Sequence, residues 1–364
     1  VWHVHTLVVG VALASVAGFM LTAVLEFTGC APLPRATLQR LFAAWLLARV
    51  AHLASGLWPS GLVLTMVLAD AWVLGRLLVF VAPPIWRETH RRHIAFIPAL
   101  LALGATHIGA GHGLWTQGDV LRWTGLATHA LMALIVVALS RVSTRIVNDT
   151  LTSQGHGDVA YMARPPRRNL AVFCVAAYAA VNAAWPQSST AGWLALGAAA
   201  AVFNLLNDWH VRTALRSRWV WPLYAVYVFM GLGYLTLGLA HLWGVAGTNL
   251  GHHLLLVGAL GLVQWMVMVI ASFLHSGHAL PTGRWVPTGA TLLVAAALVR
   301  GAAAWPDWSA WATHGWVLAT LAWTAAWGLY LVFGWHTLWQ PRPDGLEGCE
   351  EGMAASCDTH SRHA

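Results

Sequence analysis

Eleven long apolar stretches run along this chain, and each has about the 20 residues that a helix needs to cross the hydrocarbon core of a bilayer. Only 9% of the residues are charged, against roughly 25% in an ordinary soluble domain. The sequence therefore predicts an all-α, polytopic transmembrane bundle of about 11 helices whose first partner is the lipid bilayer. The stretches cover roughly 7–25, 38–57, 61–82, 94–113, 120–140, 168–185, 190–209, 219–242, 250–274, 286–304 and 309–335.

Arginines alternate between the connections of these stretches, and the chain has no lysine. The connections after odd-numbered stretches hold arginine, such as Arg91 and Arg92 after the third, whereas those after even-numbered stretches hold none. Because short cytoplasmic loops carry an excess of basic residues, we expect the arginine-bearing side and the C-terminus to be cytoplasmic, in a bacterial inner membrane. The positive charge is thus a topology signal and gives no reason to expect nucleic acid as a partner.

The two ends of the chain differ from its apolar body. The sequence starts at Val1 without an initiator methionine, and one further helix before it would make twelve and place both termini in the cytoplasm. Residues 1–340 are expected to form the transmembrane domain, and residues 341–364 a polar, disordered cytoplasmic tail. A soft-metal site in that tail is the alternative, with the ligands Cys349, Cys357, His360 and His363.

Histidines inside the apolar stretches point to a metal or haem site, since an intramembrane imidazole is expensive unless it is liganded or paired. His3 and His5 open the first stretch. If these residues are extended, both rings point the same way and can share one copper; if they are helical, the rings diverge and only one faces inward. An interfacial pair surrounded by water is the structural alternative.

A second histidine pair, His252 and His253, opens the ninth stretch at the same predicted depth. Gly258 and Gly261 follow it, and their missing side chains would let a flat macrocycle or a neighbouring helix approach. Because the first and ninth helices run in the same direction, we predict that His5 and His253 ligate one haem iron. Further ligands for copper or a second haem are predicted among His3, His107, His129 and His252.

Buried charges suggest a second role for the same region. Arg49 and Asp70 lie at nearly equal depth in the second and third helices, so they can pair across the hairpin and avoid a cost of several kcal/mol for an uncompensated charge. A structural ion pair is predicted, with a proton relay or a haem-propionate contact as the alternative. Arg122 and Arg300, near the outer ends of their helices, are predicted to contact propionates unless they only snorkel.

Several motifs resemble those of the NnrS family, membrane proteins that bind haem and copper and are linked to nitric oxide metabolism. Weaker likenesses lie at Ala48-Arg49 and Arg141-Val142. The main matches are Trp2-His3-Val4-His5, Gly18-Phe19-Met20-Leu21-Thr22-Ala23-Val24 with Thr28-Gly29, the segment from His253 to Gly261, and Val267-Met268 followed by His275-Ser276-Gly277.

The resemblance implies a bundle of twelve helices that holds haem b, with copper as a second candidate metal. The chain departs from the family at Thr6, where an acidic residue is expected, at Leu25-Glu26-Phe27, and at Ile270 and His278, which replace arginines. These departures suggest a member that keeps the cofactor without the typical activity, as a subunit of a larger respiratory assembly.

The leading hypothesis is a haem protein, with copper as an addition, that handles nitric oxide or electrons in the outer half of the membrane. An enzyme that reduces a diatomic gas with electrons from quinol or cytochrome c is one alternative. A structural or accessory subunit of a larger complex, or a transporter, is another. A transporter should show helices broken near the bilayer midplane and a repeat between its halves, and neither is evident in the sequence.

Overall fold

A computed structural model describes residues 2–116, 118–186, 188–245, 247–343 and 345. In these ranges the long elements are all helices, and there are eleven of them, which confirms the predicted fold class and helix count. The first, α1, runs without a break through Trp2–His5, Thr6–Val11 and Ala12–Thr28, and the ninth, α9, through Gly247–His253, Leu254–Leu260 and Gly261–Leu274. The others are α2 (Arg35–Leu53), α3 (Pro59–Arg87), α4 (Phe96–Thr116), α5 (Val120–Ser153), α6 (Pro165–Ala184), α7 (Ser189–Leu205), α8 (Trp221–Trp243), α10 (Trp285–Ala302) and α11 (Ala312–Trp339).

Eight of these helices are long and apolar enough to cross a membrane, namely α1, α3, α5, α7, α8, α9, α10 and α11. The other three are long enough, but polar side chains such as Arg40 and Arg49 in α2 lower their mean hydropathy. Eight apolar spans agree with a multi-pass membrane protein. The side of the membrane on which the C-terminus lies stays a prediction.

Local sequence explains where several helices begin and end. The Ser188 hydroxyl accepts a hydrogen bond of 3.2 Å from the amide of Ala191 and so caps α7, as short hydroxyl side chains commonly do. Proline starts α3 at Pro59, a position where its missing N–H costs nothing. α1 and α8 end at Gly29 and Gly244, with φ of 66° and 67°, because glycine adopts this left-handed conformation without a steric penalty.

Two compact units make up the chain. The first unit contains the described residues up to Leu131, together with His275–His278 and the described residues from Pro341 to Gly345. In it, α2 and α3 form a hairpin that also contacts α1 and α4. The second unit contains Met132–Leu274 and Ala279–Gln340. There α7 packs on α8, α8 on α9, and α10 on α11.

The helix bounds make the predicted topology testable with inserted reporters. Alkaline phosphatase inserted in the connection 154–164, which contains Arg164, should be inactive, because the arginine-bearing side is predicted to be cytoplasmic. The same reporter in the connection 185–188 should be exported and active. Enzyme activity of each fusion in whole cells gives the answer. An active reporter between Arg87 and Phe96 would contradict the predicted orientation.

Candidate functional site

The histidine pair at the start of α1 lies on a helix from Trp2 onward. Residues two apart on a helix point in divergent directions. His3 is accordingly exposed, whereas the His5 side chain is 1% exposed. Of the two conformations considered from the sequence, the structure has the helical one, in which His5 alone faces inward. A metal-binding role for His3 stays a prediction.

A π-helical segment, Thr6–Val11, begins directly after His5. Gly10 lies in this segment against the guanidinium group of Arg49, which occupies the space that a Cβ atom would fill. The indole Nε1 of Trp45 donates a hydrogen bond of 2.9 Å to the carbonyl of Gly10. A π-segment displaces carbonyls from their usual partners, and Trp45 satisfies one of them. α2 is thereby fixed against the start of α1.

Arg49 and Asp70 form the predicted ion pair across the α2–α3 hairpin. Their side chains are only 12% and 4% exposed. The pair does not use all of their hydrogen-bonding capacity, since Arg49 Nε and Nη1 and Asp70 Oδ1 are buried without a hydrogen-bond partner. Buried polar atoms are rarely left in this state. Arg49 therefore keeps donors that a further acceptor, such as a carboxylate, could use.

Three imidazoles lie around this ion pair. The rings of His5 and His52 have centroids 4.8 Å apart with an interplanar angle of 36°. His107 lies against the backbone of Val9 and within electrostatic range of His5 and Arg49. His5 Nδ1 is buried without a hydrogen-bond partner. The first unit thus gathers His5, His52, His107, Arg49 and Asp70, and we call these five residues the α1–α4 polar cluster.

His52 belongs to this cluster although the sequence analysis did not select it. It lies three residues after Arg49, so the two side chains share one face of α2, and that spacing was the available signal. Two imidazoles on opposite sides of one metal would have their nitrogens about 4 Å apart and their ring centres farther still. At 4.8 Å between ring centres, His5 and His52 are neighbours rather than opposed ligands.

Among the residues that the structure describes, no three His, Cys, Asp or Glu side chains are arranged to hold a metal ion. Zinc sites use at least three protein ligands, whereas a haem iron takes one or two. The tail ligands Cys349, Cys357, His360 and His363 lie outside the described residues.

α9 repeats the arrangement found at the start of α1. Its π-helical segment, Leu254–Leu260, begins directly after the pair His252 and His253. The Nδ1 atoms of these two rings donate hydrogen bonds of 2.8 and 2.7 Å to the carbonyls of Thr248 and Asn249. A hydrogen on Nδ1 places the ring's lone pair on Nε2, the usual metal-binding arrangement of a histidine with a supported second nitrogen.

His107 has the same arrangement in α4, where its Nδ1 donates to the carbonyl of Leu103 at 3.1 Å. In the second unit, His252 lies within electrostatic range of His241, whose Nε2 is 3.4 Å from the hydroxyl of Tyr178. This neighbourhood could not be predicted from the sequence, because Tyr178 and His241 lie on different helices far apart in the chain.

Gly258 does not leave room for a macrocycle. A Cβ atom there would approach the ring of Phe229 in α8 to 2.6 Å, so the space is already filled by a neighbouring helix. The expectation that Gly258 opens a haem cavity is therefore wrong, and the helix-packing alternative holds. At Gly261 the nearest atoms, in Leu256 and Trp323, are 3.8 Å from the same position.

The remaining predicted site residues are dispersed. His129 is 1% exposed in α5, whereas Arg122 is exposed and its amide donates to Asp119 Oδ1 at 2.9 Å. Arg300 is half-buried, with its guanidinium 5.4 Å from the ring centre of Trp316. His5 belongs to the first unit and His253 to the second, so their predicted pairing on one iron stays a prediction.

Compared with known protein families, the chain matches the family described as NnrS protein over residues 1–342. All eleven helices lie within the matched region. No curated protein matches the chain, and no solved structure matches it.

The contact between Gly10 and Arg49 predicts different effects for two glycine substitutions in α1. Gly10→Ala should destabilise the protein by about 1–3 kcal/mol, the usual cost of overpacking, because its Cβ would collide with the guanidinium. Gly18→Ala is the matched control, since no heavy atom lies within 4 Å of its Cβ position and alanine favours a helix. Thermal unfolding in detergent would measure both, and equal midpoints would contradict the described contact.

Proposed function

Because the chain belongs to the NnrS family, which is linked to the nitric oxide response, we propose that it is a haem-binding membrane protein whose iron is ligated by imidazoles at helix starts. The observation that carries the proposal is the repeated arrangement in α1 and α9, where a π-segment begins directly after a histidine pair. π-Segments are rare and frequently mark functional sites. Because each of the two π-segments follows a histidine pair, we favour a cofactor-binding role for these histidines over a role in helix packing alone.

His5 is the first proposed ligand. Its ring is 1% exposed, and its Nδ1 is buried without a hydrogen-bond partner. Such an atom loses its hydration on folding and gains nothing in return. Coordination to a metal would replace the missing interaction, and neutral imidazole is a common axial ligand of haem.

His253 is the second proposed ligand, and its support is of a different kind. The hydrogen bond from its Nδ1 to the Asn249 carbonyl fixes the ring orientation and the tautomer. His252 and His107 share this support and are the next candidates. His129 is buried and remains a lesser one.

Arg49 is proposed to hold a haem propionate or another carboxylate. It lies within electrostatic range of His5, and its Nε and Nη1 donors are buried without partners. Arginine binds carboxylates through such paired donors. This role extends the alternative considered for the Arg49–Asp70 pair, and it makes Arg49 a stronger candidate than Arg122, which is exposed.

Copper is proposed as the alternative to haem at His5, on the adjacent rings of His5 and His52. Two imidazoles on the same side of one ion lie closer together than two opposed ligands, in keeping with their centroid distance of 4.8 Å. His3, which is exposed on the same helix, is a further copper ligand only if the start of α1 changes conformation.

A bound haem would supply an iron that takes up nitric oxide or passes electrons. The chain's own residues would orient the imidazoles, balance the buried charge through Arg49 and Asp70, and exclude water from the α1–α4 polar cluster. Quinol or cytochrome c is the proposed electron donor, and other membrane subunits are proposed partners. A transporter is less well supported, because α1–α11 are continuous helices in the described residues, whereas many transporter sites are built from interrupted ones.

His5→Ala and His3→Ala form a matched pair that tests the proposal. Both remove one imidazole from the same turn of α1, but only His5 is buried. Protein purified from membranes should show a haem Soret band, His5→Ala should abolish or shift it, and His3→Ala should leave it unchanged. Absorption spectra of oxidised and reduced protein, with thermal unfolding as a folding control, give the result.

Two results would contradict the assignment. Wild-type protein that binds no haem even after reconstitution would reject the haem proposal. A folded His5→Ala protein with the wild-type spectrum would reject His5 as a ligand. Absorption spectra of His253→Ala and of His252→Ala would then show which of the two α9 rings binds the iron.

A further inference from the structure

A basic segment begins at the end of α3, where this helix leaves the membrane. α3 has 29 residues and is one of the eight apolar spans. Because a helix rises about 1.5 Å per residue, this length covers the hydrocarbon core together with the headgroup layers. The last two residues of α3, Trp86 and Arg87, therefore lie at the level of the lipid headgroups. Both side chains are exposed.

The acidic residue of the segment 86–95 is turned inward. Glu88 Oε2 accepts a hydrogen bond of 3.2 Å from the amide of His93, and the two Glu88 oxygens lie 3.1 and 3.0 Å from His93 Nδ1. The side chains of Glu88 and His93 are only 16% and 10% exposed. The His93 ring also stacks on Phe27 of α1, with the ring centroids 4.1 Å apart. The carboxylate is thus bound inside the protein and is directed away from the exposed arginines.

Arg91, in the middle of this segment, has an unusual backbone conformation. Its φ is 46°, in the left-handed region that a residue with a Cβ atom normally avoids. The turn is well formed, because the Arg91 amide donates to the Glu88 carbonyl at 3.1 Å and the Arg91 carbonyl accepts from the Ile94 amide at 3.2 Å. Strained residues of this kind cluster at functional sites. Arginine therefore occupies a position at which glycine would cost less.

The Arg91 side chain lies over the exposed ring of Trp86, with the guanidinium carbon 4.7 Å from the ring centre. This cation–π contact holds a long, flexible side chain in one place. Within the described part of the chain, neither Arg87 nor Arg91 forms an ion pair with a carboxylate. Two positive charges therefore lie beside an interfacial tryptophan, in a segment whose own carboxylate is bound elsewhere.

We propose that Trp86, Arg87 and Arg91 bind the headgroup of an anionic phospholipid in the leaflet on this side of the membrane. Guanidinium groups match the geometry of phosphate oxygens and bind them with charge-assisted hydrogen bonds. Basic residues directly beside a span attract anionic lipids, and tryptophan rings favour the same level of the bilayer. A lipid is favoured over a soluble anion because the three side chains lie at the end of a membrane-spanning helix.

Two substitutions of Arg91 test the proposal, Arg91→Gln and Arg91→Gly, with Arg216→Gln as the matched control. Arg216 is also exposed, in the turn Arg212–Arg216 between α7 and α8, but it has neither a positive φ nor an aromatic ring beneath its guanidinium. Full-length protein would be placed in nanodiscs of phosphatidylcholine with and without phosphatidylglycerol. Native mass spectrometry would measure the phosphatidylglycerol that stays bound after transfer to detergent.

Arg91→Gln should bind phosphatidylglycerol about fivefold more weakly than wild type, the effect of removing one arginine beside an anionic surface. Arg216→Gln should bind it as wild type does. Arg91→Gly should lose the same affinity, yet it should unfold at the same or a higher temperature in phosphatidylcholine, because glycine adopts a positive φ without strain.

Three results would overturn the proposal. The first is equal retention of phosphatidylglycerol by wild type and both Arg91 variants, or an equal loss in Arg216→Gln. The second is displacement of the retained lipid by inorganic phosphate, which would assign the site to a soluble anion. The third is a lower unfolding temperature of Arg91→Gly, which would show that Arg91 serves the fold. None of these measurements uses the haem spectrum, so the test is independent of the proposed function.

Discussion

The buried pair of Arg49 and Asp70 is the interaction on which the first unit depends. It joins α2 to α3, and the same guanidinium occupies the space above Gly10 in α1. An unpaired buried charge would cost several kcal/mol, and breaking such a pair by removing one partner typically costs about 3–5 kcal/mol. Three helices are therefore held in one arrangement by one side chain. That arrangement also places His5 and His52 beside each other.

The two π-segments explain how helical residues can serve a site without breaking the span. A π-turn holds one more residue than an α-turn, so it changes the direction of the side chains on either side while the helix continues. In α1 the π-segment includes Gly10, and the carbonyl of Gly10 accepts a hydrogen bond from the indole of Trp45 in α2. Such compensation keeps the backbone hydrogen-bonded in lipid, where an unsatisfied group is most costly.

Features that depend on hydropathy, or on the depth of a residue along one helix, could be predicted from the sequence. The helix count followed from apolar length, and the Arg49–Asp70 pair followed from equal distances to a short turn. Contacts between helices could not be predicted in the same way. His52 joined the cluster because α2 lies against α1, and the space beside Gly258 was taken by Phe229. Both outcomes depend on which helix faces are neighbours, and one sequence without related sequences does not contain that information.

His5 is proposed to ligate a metal within the α1–α4 polar cluster. The most direct test is electron–nuclear double resonance on oxidised protein labelled with ¹⁵N-histidine, comparing wild type with His5→Ala. If His5 ligates the metal, a histidine nitrogen will be coupled to the metal in wild type, and this coupling will be lost or replaced in the variant. Identical couplings in the two folded proteins, or no histidine coupling in a metal-loaded wild type, would contradict it.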